Sequence, residues 1–198
     1  MPETVRTFTA VEITDEVLGR LQELIDLLRP VDADVKWIAP DSLHWTLNFL
    51  GEVDLREIPA ICKTVIQATA EFEPFEVETF GLGAFPTPQR PRTIWVGVRE
   101  GQQQMIALQD ELSSRLAKLG YRPEHRRFQP HLTIGRVRSG RGVAELTRRM
   151  NEHAEFEIGA MDVPEVVVFS STLDSSGAIY QPLGRGKLGE KRPGQSTP

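Results

Sequence analysis

At 198 residues, with 39% hydrophobic and 26% charged side chains, the chain suits one sizeable domain or two lobes sharing a core. A formal net charge of −5 excludes a protein that coats nucleic acid over its whole surface, but leaves room for a local basic cleft. The single cysteine, Cys62, excludes an internal disulfide framework and an all-cysteine metal site, and no apolar run approaches the ~18–20 residues of a membrane span. With no apolar signal region in the opening MPETVRTFTA, a cytoplasmic address is expected.

The first expected element is a strand from Val5 to Ile13. A helix follows from Asp15, taken as its N-cap, to Leu28, with Val17, Leu18, Leu21, Leu24, Ile25 and Leu28 at helical spacing, and Pro30 stops it. A short extended stretch at Val35 to Ile38 and the turn Pro40-Asp41-Ser42 lead into a strand from Leu43 to Leu50, which Gly51 ends. Leu55 to Phe72 reads as a second helix, with Cys62 among Ile58, Ile61, Val65 and Ile66 in its core. Strands at Phe75 to Phe80 and Thr93 to Val98 flank GLGAFPTPQRPR, whose glycines and prolines predict a long loop at the lip of a site. Gln102 to Leu119 is a third helix closed by Gly120, and Val143 to His153 a fourth. Between them a basic loop, YRPEHRRFQP, feeds a strand from His131 to Val137. Strands at Phe156 to Met161, Glu165 to Leu173 and Ile179 to Leu183 complete the order, the last two joined by a hairpin turn over residues 174–177. From Gly184 the polar, glycine-rich GRGKLGEKRPGQSTP reads as a disordered tail, so one domain is expected over 1–185 and a tail over 186–198. The alternation of strands and helices around two comparable strands gives an α+β fold built as a duplicated unit over two half-chains.

Those two strands carry the same pattern. His44-Trp45-Thr46 and His131-Leu132-Thr133 are each a His-x-Thr among apolar residues. In an extended strand, residues two apart share a face, so each imidazole lies beside a hydroxyl while the apolar neighbours turn inward. Two imidazoles across a cleft supply one proton acceptor and one proton donor, and two hydroxyls hold an anion between them, an arrangement for in-line attack on a phosphodiester without metal. The competing reading is two edge-strand histidines whose rings simply satisfy nearby carbonyls.

The context of these triplets is more specific than the triplets. Residues 5–10 (VRTFTA), HWTLNFLGE at His44 to Glu52, RPRTIWVGV at Arg90 to Val98, FQPHLTIGR at Phe128 to Arg136, and the spaced Ser171, Leu173, Gly177, Tyr180 and Leu183 occur in order. Together they resemble the bacterial and archaeal RNA 2′,3′-cyclic phosphodiesterases, also called 2′-5′ RNA ligases, of the two-histidine phosphoesterase superfamily. The resemblance implies a bilobal fold in which two antiparallel sheets flank a central cleft, with helices packed outside. It implies hydrolysis of RNA 2′,3′-cyclic phosphate ends to 2′-phosphates, with 2′-5′ ligation an open possibility. It also implies His44 as proton donor, His131 as proton acceptor, and Thr46 and Thr133 as donors to the non-bridging phosphate oxygens.

Arg136 lies three residues past Thr133, so a phosphate contact requires the chain to turn near Gly135. Arg126 and Arg127, with Arg122 and His125, form the densest local positive cluster and, with Arg92 and Phe128, are candidates for RNA contact; Arg90 shares the ambiguity of Arg92. Phe8, Phe49 and Phe85 are further stacking candidates, and His125 and His153 lack the partnering threonine. No cofactor and no metal are expected, because no HxH, HExxH or carboxylate cluster accompanies the histidines at ligand spacing. The expected partners are RNA ends or small cyclic nucleotides, with no membrane contact and a monomeric state. The rival readings are a small-nucleotide cyclic phosphodiesterase, acting for example on ADP-ribose cyclic phosphate, a metal hydrolase, and a non-catalytic module that binds RNA ends.

Overall fold

The structure, a computed structural model, describes residues 3–122, 127–174 and 177–189. Among these residues the chain runs β1 (Thr4–Glu12), α1 (Asp15–Leu28), β2 (Val35–Trp37), β3 (His44–Asp54), α2 (Ile58–Thr69), β4 (Phe75–Thr87), β5 (Arg90–Val98), α3 (Gln102–Lys118), β6 (Leu132–Val137), α4 (Val143–Glu152), β7 (Glu157–Val163), β8 (Glu165–Asp174) and β9 (Gly177–Lys187). Two antiparallel sheets result, one in the order β3-β1-β8-β9 and one in the order β2-β6-β5-β4-β7. The first sheet takes β1, β3, β8 and β9 and the second takes β2 together with β4 to β7, so the lobes are not consecutive half-chains. The chain crosses between them repeatedly: α1 leaves β1 and packs on β7 of the other sheet, while α3 leaves β5 and packs on α2 and β3. One buried apolar cluster runs through both sheets and all four helices, with Trp45, Leu21, Ile94, Leu112 and Ile134 among its fully enclosed side chains. No helix is long and apolar enough to cross a membrane, among the described residues.

Several local expectations are corrected. Thr14, not Asp15, caps α1: its hydroxyl accepts from the Val17 N–H at 3.4 Å, and Asp15 and Glu16 occupy the first turn, where the helix dipole favours negative charge. Gly51 does not end β3. At φ 75° it pairs with Thr7 beside a bulge, and the ladder to β1 continues to Asp54. The second helix starts later than expected, at Ile58, after a 3-10 turn over Leu55–Glu57 that the Asp54 carboxylate caps at Arg56 N–H.

The expected loop GLGAFPTPQRPR is instead the body of the β4–β5 hairpin, paired as far as Thr87 with Arg90. Its prolines are tolerated because Pro86 and Pro91 face each other beyond a register shift, at the end of the ladder. The expected tail also begins later. Gly184 and Gly186 belong to β9 because α2 lies directly on them: a Cβ at 184 would meet the Cys62 sulfur at 2.6 Å, and one at 186 the Thr69 hydroxyl at 2.6 Å. Leu188 then turns inward, buried, with its N–H on the Pro164 carbonyl. The rest of the expected tail, residues 190–198, lies outside the described residues, as do the middle of the 174–177 turn and the segment 123–126 that holds His125 and Arg126.

Candidate active site

The alternation in the two His-x-Thr segments places their side chains. Trp45 and Leu47 on β3, and Leu132 and Ile134 on β6, are buried in the core, so His44, Thr46, His131 and Thr133 project the other way. All four line one cavity of about 980 Å³ between the sheets. β3 contributes from the edge of one sheet and β6 from within the other.

Each imidazole is held by the backbone two residues before it. His131 Nδ1 lies 2.7 Å from the Gln129 carbonyl, and the His44 ring is hydrogen-bonded to the Ser42 backbone. A ring nitrogen bound to a carbonyl must carry the proton, so at His131 Nε2 is the nitrogen left for chemistry. Aromatic side chains complete the holders. His44 stacks on Phe8 at 4.9 Å and meets the edge of Tyr180 at 5.2 Å, while Phe85 stands edge-on to His131 at 5.0 Å. Burial among these rings lowers the His44 pKa from 6.5 to about 4, partly offset by the Ser42 backbone, so this imidazole is neutral near pH 7.

Arg136 does reach the cavity. Between Thr133 and Gly135 the β5–β6 pairing skips a residue, so the strand parity changes and Arg136 returns to the side of Thr133. Gly135 allows this because Trp37 and Val35 of β2 lie over it, 3.0 Å from where a Cβ would be. Arg6, Arg122 and Arg127 also line the cavity, and none of the four guanidiniums has a carboxylate partner among the described residues. No Asp or Glu lines the cavity among the described residues. Elsewhere arginines are neutralised: Arg99 pairs with Glu78, Arg115 with Glu71 and Glu111, and Arg185 with Glu12 and Glu165. No cluster of three potential metal ligands occurs among the described residues.

The remaining candidates divide. Phe128 is half-buried on the cavity wall, Phe49 is 59% exposed at its edge, and Phe8 is buried beneath His44. Arg90 and Arg92 are exposed on β5 away from the cavity, and His153 packs near Phe156 outside it. The lining also contains residues to which the sequence assigned no site role: Tyr180, Thr93 and Asn48 inside the quoted motif blocks, and Tyr121, Gln109 and Ser113. Asn48 pairs with Thr9 across a register shift that skips Leu47, so it leaves the face of His44 and Thr46 and turns toward α3, where Gln109 and Ser113 stand four apart beside Leu108 and Leu112, a spacing that is present in the sequence. Tyr121 donates to the Glu57 carboxylate at 2.7 Å; burial and that carboxylate push its pKa up to about 12.

Comparison with known proteins finds that a family model described as the 2′-5′ RNA ligase superfamily matches residues 18–170. The RNA 2′,3′-cyclic phosphodiesterase of Methanothermobacter thermautotrophicus is 37% identical over 176 residues, covering 89% of this chain and 95% of its own. That of Aquifex aeolicus is 34% identical over 176 residues, covering 87% and 89%. Among solved structures, TT0787 of Thermus thermophilus superposes with a TM-score of 0.79 at 24% identity, covering 94% of this chain and all of its own. Escherichia coli LigT complexed with 3′-AMP superposes with a TM-score of 0.75 at 24% identity, covering 95% and 100%.

Proposed function

The chain belongs to the 2′-5′ RNA ligase superfamily, and on that footing we propose that it hydrolyses RNA 2′,3′-cyclic phosphate ends to 2′-phosphates by metal-independent acid–base catalysis. The observation that carries this reading is the convergence of both His-x-Thr pairs on one cavity that, among the described residues, is lined by four arginines without carboxylate partners and by no carboxylate. Curated relatives at 27–37% identity are named for the same activity.

In the proposed reaction the cyclic phosphate sits between Thr46 and Thr133, whose hydroxyls donate to its non-bridging oxygens as negative charge grows there. His131 takes a proton from water, the water oxygen bonds to phosphorus, the bond from phosphorus to O3′ breaks, and His44 delivers a proton to the departing O3′. The 2′ ester bond survives, leaving a 2′-phosphate and a free 3′-hydroxyl. Burial lowers the His44 pKa, while a phosphodiester anion beside the ring raises it, so bound substrate works toward the protonated form that a donor needs. A 5′-hydroxyl replacing water in the same attack gives a 2′-5′ linkage, which is the ligation counterpart.

The test is incubation of cyclic-phosphate-ended RNA with wild type, His44→Ala and His131→Ala, each with and without EDTA. Wild type is expected to yield the 2′-phosphate with or without chelator. Each histidine variant is expected to lose at least about 10²-fold in kcat while keeping its circular dichroism spectrum, since general acid and base steps typically contribute ~10²–10⁴ each. A folded variant with near-normal turnover removes that histidine from the mechanism, and abolition by EDTA removes the metal-independent scheme.

A further inference from the structure

The polar group on the inner face of α3 is oddly placed for a structural role alone. Gln109 and Ser113 are only 9% and 8% exposed, yet both line the cavity. They belong to a directed chain of hydrogen bonds. The buried Thr9 hydroxyl donates to Asn48 Oδ1 at 3.2 Å; Asn48 Nδ2 donates to Ser113 Oγ at 2.5 Å; and Gln109 Nε2 donates to the same oxygen at 2.9 Å. Ser113 Oγ is thereby filled as an acceptor and retains its own proton to donate. Gln109 Oε1 and that hydroxyl proton have no partner among the described residues. The cluster thus offers the cavity an oriented acceptor beside an oriented donor, locked from behind by a buried threonine.

Its place in the cleft matters as much as its chemistry. Asn48 follows Thr46 on β3 just past the bulge at Leu47, and Thr46, Asn48, Gln109 and Ser113 all line the one cavity, so the cluster shares its space with a nucleotide whose phosphate lies at the threonine. Leu116 and Phe128 line the same cavity and provide apolar surface for a ring. We propose that Asn48, Gln109 and Ser113 form a subsite that reads the hydrogen-bonding edge of the nucleobase carried by the cyclic-phosphate nucleotide. The inference rests on the proposed phosphodiesterase activity and adds a residue-level basis for substrate preference. The Gln109 carbonyl oxygen beside the Ser113 hydroxyl suits the task, because an adjacent acceptor and donor match the adjacent donor and acceptor on a base edge. The cluster discriminates by leaving its own polar atoms unpaired when the wrong edge arrives.

Four oligonucleotides that end in a 2′,3′-cyclic phosphate and differ only in the terminal base (A, G, C or U) provide the test. Wild type is expected to show a spread of roughly tenfold or more in kcat/KM across the four, the scale of one good bidentate contact. In Gln109→Leu and Ser113→Ala the spread is expected to shrink to about threefold or less, with the change carried mainly by KM. Ratios between substrates for one enzyme preparation cancel any loss of folded protein, and Ser113→Ala removes only one oxygen. Variants that keep the wild-type ratios while losing activity on all four alike show that the cluster only ties α3 to β3, and the inference fails. Equal efficiencies in wild type also overturn it. Absence of turnover on any substrate by wild type overturns the phosphodiesterase reading itself, and this inference with it.

Discussion

His44 shows how a single residue links burial, charge and stability. Its pKa of about 4 in the folded protein lies below its ordinary 6.5, so between those values the unfolded chain binds a proton that the folded chain refuses. Folding stability contributed by the neutral ring is complete above pH 6.5 and is lost as pH falls toward 4, by about 3 kcal/mol in total. Urea unfolding of wild type and His44→Phe at about pH 7.5 and about pH 4.5 isolates this contribution. The wild type is expected to lose more stability between the two conditions than the variant, by roughly 2–3 kcal/mol. Equal losses mean that His44 is solvated in the native state. The same desolvation sharpens the chemistry, because a charged substrate entering this aromatic enclosure interacts with the ring through a medium less screened than water.

At the scale of elements, the bulges decide which side chains meet. Alternation accounts for His44, Thr46, His131 and Thr133, whose apolar neighbours commit the strands to one orientation. Alternation alone sends Arg136 to the wrong face. The skipped residue in the β5–β6 ladder corrects this, and Gly135 makes room for Trp37 and Val35 beside it. Gly135→Val is therefore expected to overpack this edge by about 1–3 kcal/mol and lower Tm by about 2–4 °C for each of those kcal/mol. It should also raise KM for cyclic-phosphate RNA by shifting Arg136. An unchanged Tm and KM show that β2 yields without cost. The β4–β5 hairpin teaches a similar lesson about reading glycine and proline. Its Gly83 lies under the Trp95 ring, where a Cβ would sit 2.4 Å from the ring, so the residue that suggests a loop in sequence serves close packing beside His131.

For the whole molecule, the distribution of charge matters more than its sum. The net charge is −5, yet four guanidiniums without carboxylate partners among the described residues line the cavity, while arginines such as Arg99, Arg115 and Arg185 are bound to surface carboxylates. An acidic protein thereby presents a locally basic cleft, and the long-range repulsion of a polyanion by the net charge is countered there. Turnover of an oligonucleotide is expected to fall with salt, with a log–log slope in kcat/KM of about −0.7 for each phosphate neutralised. A mononucleotide 2′,3′-cyclic phosphate is expected to show a much shallower slope. Equal slopes for the two substrates favour a small cyclic nucleotide as the ligand that fits the whole cleft. Arg6→Gln is expected to flatten the oligonucleotide slope specifically, because a cation at the cavity wall acts on a strand more than on a single nucleotide.

Much of the molecule was legible from order and period alone: four helices, the strands, the inward set of apolar residues and the two His-x-Thr segments with their neighbours all follow from local periodicity. Hydrophobic alternation is a property of a single strand, so it needs no partner to be read. What needed the tertiary structure is whatever depends on a second segment. The exchange of helices between lobes, the bulge that returns Arg136 to the cleft, the packing of Gly184 and Gly186 on α2, and the convergence of Asn48 with Gln109 and Ser113 across 65 positions are all pairings between distant stretches of chain. The burial that neutralises His44 belongs with them, because Phe8 and Tyr180 come from opposite ends of the sequence to enclose it. Residue types set what each side chain is able to do; only the approach of other segments sets the solvation and geometry in which it does it.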